Sequence, residues 1–140
     1  MIFLKTKTIK QSVTFRVSPH DVFEAIIDAD LHARFTESEA EIHRGVGGYF
    51  SVYGGSISGT TLELVQDKKI VQSWKIDEED WPENHYSKVV FEIRKVKEGT
   101  QLDMTHSEVP EACAKNIAQG WKDYYWEPMK KMLENKKSFE

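Results

Sequence analysis

Hydrophobic and polar residues alternate near the start of the chain: Ile9, Val13, Phe15 and Val17 take odd positions, with Lys10, Ser12, Thr14 and Arg16 between them. A period of two predicts a strand with one buried face. Ser18-Pro19-His20-Asp21 then has the form of a helix start, with Ser18 as the cap and Pro19 in the first helical position. Val22, Phe23, Ile26 and Ile27 give that helix an apolar face. Asp28-Ala29-Asp30 predicts a second cap, opening a short helix through Leu31 to Phe35.

From residue 41 the pattern becomes strands and turns. A strand over 49–53 lies between Gly47-Gly48 and Gly54-Gly55. Strands over 57–65 and 70–76 flank Gln66-Asp67-Lys68-Lys69, and strands over 86–96 and 100–107 flank Lys97-Glu98-Gly99, so two hairpins are expected. The last element is a long amphipathic helix. Cys113, Ile117, Gly120, Trp121, Tyr124, Tyr125, Met129, Met132 and Leu133 recur at three- and four-residue spacing. Pro128 falls inside it and predicts a kink near Tyr124, because proline removes a helical hydrogen bond. The expected architecture is α+β: a curved antiparallel sheet of about six to seven strands around the C-terminal helix, with two short helices after the first strand.

Length and composition narrow the class. The 140 residues predict one domain over 1–140, with its core at about 8–135. No stretch approaches the ~20 apolar residues of a membrane span, and the opening Met1-Ile2-Phe3-Leu4 is too short for a signal-peptide core. One cysteine, Cys113, excludes an internal disulfide and a multi-cysteine zinc site. With a formal net charge of −4 and thinly spread basic residues, the chain does not read as a nucleic-acid binder. The expectation is a soluble cytoplasmic protein, with neither a cofactor nor a metal.

Candidate chemistry is sparse. His20, His32, His43, His85 and His106 show no metal-ligand spacing. His106 shares a strand face with Met104 and reads as a core or rim histidine, while the other four are expected at the surface. Glu37, Glu39 and Glu41 read as a solvated edge face. Gly45-Val46-Gly47-Gly48 precedes a strand and opens no helix, which argues against a phosphate-binding loop. Cys113 fits the helix stripe as a buried structural thiol. Trp126 lies off that stripe, so it and Trp81-Pro82 are the expected exposed aromatics.

Four segments then carry a family likeness: Gly54-Gly55-Ser56-Ile57-Ser58-Gly59, Lys69-Ile70-Val71-Gln72-Ser73-Trp74, Trp81-Pro82-Glu83-Asn84-His85-Tyr86 and Gly120-Trp121-Lys122-Asp123-Tyr124-Tyr125. In this order they resemble the activator of heat-shock protein 90 ATPase homologue-like domain, of the START-like (SRPBCC) helix-grip superfamily. The likeness covers roughly Thr8 to Leu133. It implies a β-α-α-β-meander-α fold whose sheet grips the last helix and often leaves a cavity beneath it. In the eukaryotic cochaperone such a domain follows a separate N-terminal domain, so this chain resembles the C-terminal type standing alone.

The resemblance implies a non-enzymatic cochaperone that binds heat-shock protein 90 and stimulates it. The candidate partner surface is Asp77, Glu78, Glu79, Asp80, Trp81 and Pro82. The alternative is a carrier or sensor of a small apolar ligand, with Phe23, Phe35, Phe50, Trp74, Phe91, Met104, His106, Trp121 and Tyr125 as candidate cavity lining. A polyketide-cyclase-like enzyme is a third reading, for which His106 is the nominee as buried acid or base. The oligomeric state is left open.

Overall fold

The computed structural model describes residues 4–135. Met1, Ile2 and Phe3 of the apolar opening lie outside them. Strand β1 (Thr6–Phe15) is followed by helices α1 (Pro19–Ile27) and α2 (Ala29–Thr36). Next come β2 (Glu41–Ile42), β3 (Tyr49–Val52), β4 (Ile57–Val65), β5 (Lys69–Ile76), β6 (Ser87–Val96) and β7 (Gly99–Pro110). A long helix closes the chain over residues 111–134. It divides into α3 (Glu111–Gly120), a π-helical segment (Trp121–Trp126) and α4 (Glu127–Glu134).

Both expected caps form. The Ser18 hydroxyl accepts the Asp21 N–H at 3.2 Å, and Asp28 accepts the Leu31 N–H at 3.0 Å, satisfying donors that helix starts leave free. All seven strands pair antiparallel in the order β1-β7-β6-β5-β4-β3-β2. Consecutive strands are neighbours from β2 to β7, and only β1 pairs far along the chain. Its register sets Val13 opposite Leu102, and the Ser12 hydroxyl donates to Asp103 across 91 residues.

The sheet's concave face packs on the long helix. Phe15, Phe91, Leu102, Met104 and Trp121 are among its fully buried side chains. Each large apolar side chain so buried contributes about 1.5–3 kcal/mol by its removal from water. Trp74, Trp121 and Trp126 form one stack, with centroids 4.8 Å and then 5.1 Å apart. Trp126 is therefore not an exposed anchor. It is 5% exposed, and its indole N–H donates to Gln11 Oε1 at 2.7 Å. The Gln11 amide in turn donates to the Ala118 carbonyl at 2.9 Å, tying β1 to the helix.

The π-helical segment explains how Trp126 turns inward. The Glu127 N–H reaches the Lys122 carbonyl, five residues back, which shifts the phase of the apolar stripe. The distortion falls where Pro128 predicts one. In a regular helix Pro128 would serve the Tyr124 carbonyl, and it has no N–H to do so. That carbonyl accepts the Tyr53 hydroxyl.

Candidate functional site

A groove of about 360 Å³ opens between the C-terminal helix and the ends of β4 and β5. Trp74, Trp121 and Tyr125 border it as buried aromatics. Tyr53, Ile57 and Ile76 line it from the sheet side, and Asn116, Ile117, Gly120 and Tyr124 from the helix. Ser56 and Glu78 complete the lining. Tyr124 is 61% exposed, and its ring meets Tyr53 edge-on at 6.1 Å.

The turn that presents Tyr53 is conformationally unusual. Tyr53 has φ 53°, followed by Gly54 at 64° and Gly55 at 95°. A left-handed tyrosine costs on the order of 1 kcal/mol, and the two glycines let the chain continue through the same region. The Asp77 N–H then bonds the Ser56 carbonyl at 2.7 Å, pinning the acidic loop beside this turn.

Beneath the sheet the aromatic core is closely packed. An enclosed void of about 10 Å³ lies between sheet and helix, bordered by Phe50, Trp74, Phe91 and Tyr125 with His32, Gln72 and others. Of the nine expected cavity residues, Phe23, Phe35, Met104 and His106 border neither this void nor the groove; they are core. Trp74, Trp121 and Tyr125 are the three that reach the groove.

His106 is fully buried and its ring is occupied on both sides. The Trp121 indole, which can only donate, gives its N–H to Nδ1 at 3.1 Å. Nε2 therefore carries the proton and donates to Ser87 Oγ at 2.7 Å, and that hydroxyl donates to the Trp74 carbonyl at 3.1 Å. Burial pushes the His106 pKa down to about 3, so the ring is neutral at ordinary pH. His32, expected at the surface, is buried instead on the inward face of α2. Its Nε2 lies 3.1 Å from the Tyr125 hydroxyl, and burial lowers its pKa to about 4.

The acidic loop is built around a buried residue. Trp81, expected as an exposed aromatic, is 8% exposed; its indole N–H donates to the His85 carbonyl at 2.9 Å. The His85 Nε2–H donates to the Glu108 carbonyl at 2.7 Å. Asp77, Glu79 and Asp80 are exposed around this anchor, while Glu78 and Pro82 are half-buried. Cys113 is buried as expected, with its thiol pushed up to about 11 by burial and by Glu78 and Asp80. Among the described residues no cluster of metal-ligating side chains is present, and no helix is long and apolar enough to cross a membrane.

The signals for the groove were present in the sequence but unremarkable one at a time. Glycine in mid-helix at 120 is one; Tyr124, which the spacing assigns to the apolar stripe, is instead 61% exposed, because it falls in the π-helical segment.

A seven-stranded antiparallel sheet gripping one long C-terminal helix defines a helix-grip domain. The chain belongs to the family described as activator of Hsp90 ATPase homolog 1-like protein, whose sequence model matches residues 16–134. It is 30% identical over 123 residues to the human activator of 90 kDa heat shock protein ATPase homolog 1, covering 88% of this chain and 35% of that protein. The chain thus spans about a third of the length of the curated relatives it matches. A crystal structure of an HSP90 activator from Plasmodium falciparum superposes with a TM-score of 0.80 at 32% identity, covering 91% of this chain and 95% of that one. The solution structure of an Aha1 dimer from Colwellia psychrerythraea shares the fold, with a TM-score of 0.78 at 18% identity and 92% and 97% coverage.

Proposed function

We propose that this chain is a non-enzymatic, cochaperone-like domain that binds heat-shock protein 90. One observation carries the reading: the similarity to the Plasmodium falciparum activator runs at 32% identity over nearly the whole of both chains. The contact surface is the acidic loop, through the exposed carboxylates of Asp77, Glu79 and Asp80 and the edge of Pro82. Trp81 serves that surface from beneath, as the buried post that holds the loop in shape. Two features count against His106 as the acid or base of a cyclase-like enzyme. His106 has no free ring nitrogen, and it does not border the groove. The enclosed void of about 10 Å³ under the sheet is too small to serve a carrier.

The test is titration calorimetry against the purified chaperone, with the chaperone's ATP hydrolysis followed in parallel. Binding in the micromolar range or tighter, with faster hydrolysis, is the expected result. Reversing Asp77 and Asp80 together to lysine should weaken binding by roughly tenfold and more steeply at low salt. Absence of heat and of any rate change at high protein concentration overturns the reading.

A further inference from the structure

Gly120 is not required by the backbone it occupies. Its φ of −59° and ψ of −37° are ordinary right-handed helix, and an added Cβ would meet nothing closer than the Tyr124 ring at 3.7 Å. Glycine inside a helix costs about 1 kcal/mol relative to alanine, so the residue is unfavourable where it stands. What it does is leave the helix wall of the groove bare. Space is held open there at a cost in stability, beside a left-handed Tyr53 and a π-helical segment, both of the kind that gathers at functional sites.

The charge of this space is one-sided. Glu78 is the single charged residue in the lining and is half-buried against apolar walls. It forms no ion pair among the described residues. Asp77, Glu79 and Asp80 surround it, whereas Lys115 and Lys122 on the helix are exposed and do not line the groove. A carboxylate among apolar groups is complementary to a positive charge that brings its own apolar body. Tyr53 and Tyr124 add ring faces that attract cations.

We propose that this groove is a binding site for a small apolar cation, an ammonium group on a hydrophobic body. The ammonium faces Glu78, and the body lies along Tyr124, Gly120 and Ile57 over the buried tryptophans. The volume stands at the small end of the ~300–1,000 Å³ typical of small-molecule sites, which suits one compact ligand.

Three probes on one skeleton test it: 4-phenylbutylamine, 4-phenyl-1-butanol and 4-phenylbutyrate, titrated at low ionic strength. Fluorescence reads the binding, because Trp74 and Trp121 border the site. The amine should bind saturably and at least about tenfold more tightly than the carboxylate, with the alcohol between them. Glu78→Gln should bring the amine to the affinity of the alcohol. Gly120→Leu should abolish binding of all three while raising the thermal midpoint, since it fills the groove and improves the helix together. Equal binding of amine and carboxylate, an unchanged order in Glu78→Gln, or no saturable amine binding at millimolar concentration each overturns the proposal. No chaperone is present in these titrations, so their outcome is independent of the cochaperone reading.

Discussion

The two sides of one aromatic cluster are built in opposite ways. Trp74 and Tyr125 border both the enclosed void of about 10 Å³ and the open groove of about 360 Å³. On the enclosed side, large side chains fill the space, and of the buried His32 ring only Nε2 has a partner, the Tyr125 hydroxyl at 3.1 Å. On the open side the chain does the reverse. It places glycine on the helix, bends Tyr53 into a left-handed turn, and leaves one carboxylate with no cation opposite. The difference teaches that the tryptophan stack is scaffold, and that the groove's character comes from what borders the stack.

Breaking the scaffold should have the largest effect. Trp121→Ala removes the middle of the three-ring stack and the donor to His106 Nδ1, and should cost about 3–5 kcal/mol. Urea denaturation measures it, and a loss below about 1.5 kcal/mol would contradict the scaffold role.

Acid should act on the same side. His32 and His106 have folded pKa values lowered to about 4 and about 3, against 6.5 in the unfolded chain. Between those values the unfolded state binds more protons, so their contribution is complete above pH 6.5 and is lost as pH falls below it. Each histidine should approach a loss of about 1.4 kcal/mol per pH unit well below pH 6.5, or about 3 kcal/mol for the pair between pH 6.5 and 5. The denaturation midpoint followed against pH checks this, and His32→Leu should halve the slope.

The smallest effect sharpens the contrast from the groove side. Tyr53→Phe deletes the hydroxyl that serves the Tyr124 carbonyl and should cost about 1 kcal/mol. Amide exchange should speed up within Trp121–Trp126 and stay unchanged along β6 and β7. Uniform acceleration would mean that the two sides are not separable.

Much of the fold was legible because it rests on local periodicity. Alternation marked β1 and the two hairpins, and Ser18 and Asp28 announced their helices through side chains that bond within three residues. The tryptophans were read wrongly for a physical reason. Trp126 is off the stripe only if the helix keeps its 3.6-residue period, and the π-helical segment breaks that period. Trp81 sits in a loop, where no period exists; it joins the hydrophobic core, with its indole N–H satisfied by the His85 carbonyl, and no sequence pattern marks either. The groove was invisible as a cavity because it depends on an absent side chain at Gly120 and on the non-local meeting of Tyr53 with Tyr124.

The pairing of β1 with β7 has a consequence for how the chain comes to exist. Strand β1 finds its hydrogen-bonding neighbour 91 residues later in the chain, as the Ser12–Asp103 contact records. At the usual ~5–20 residues per second, that strand waits on the order of 5–20 s with no partner edge. The β3–β4 and β4–β5 connections are short and local, so this part of the sheet needs no distant partner to pair. The polar residues Lys7, Lys10, Ser12 and Thr14 then serve a nascent chain as well as a folded one. On a strand that stands at the edge of the sheet, polar positions of this kind disfavour pairing with a wrong neighbour, and Gln11 ties the strand to the last helix.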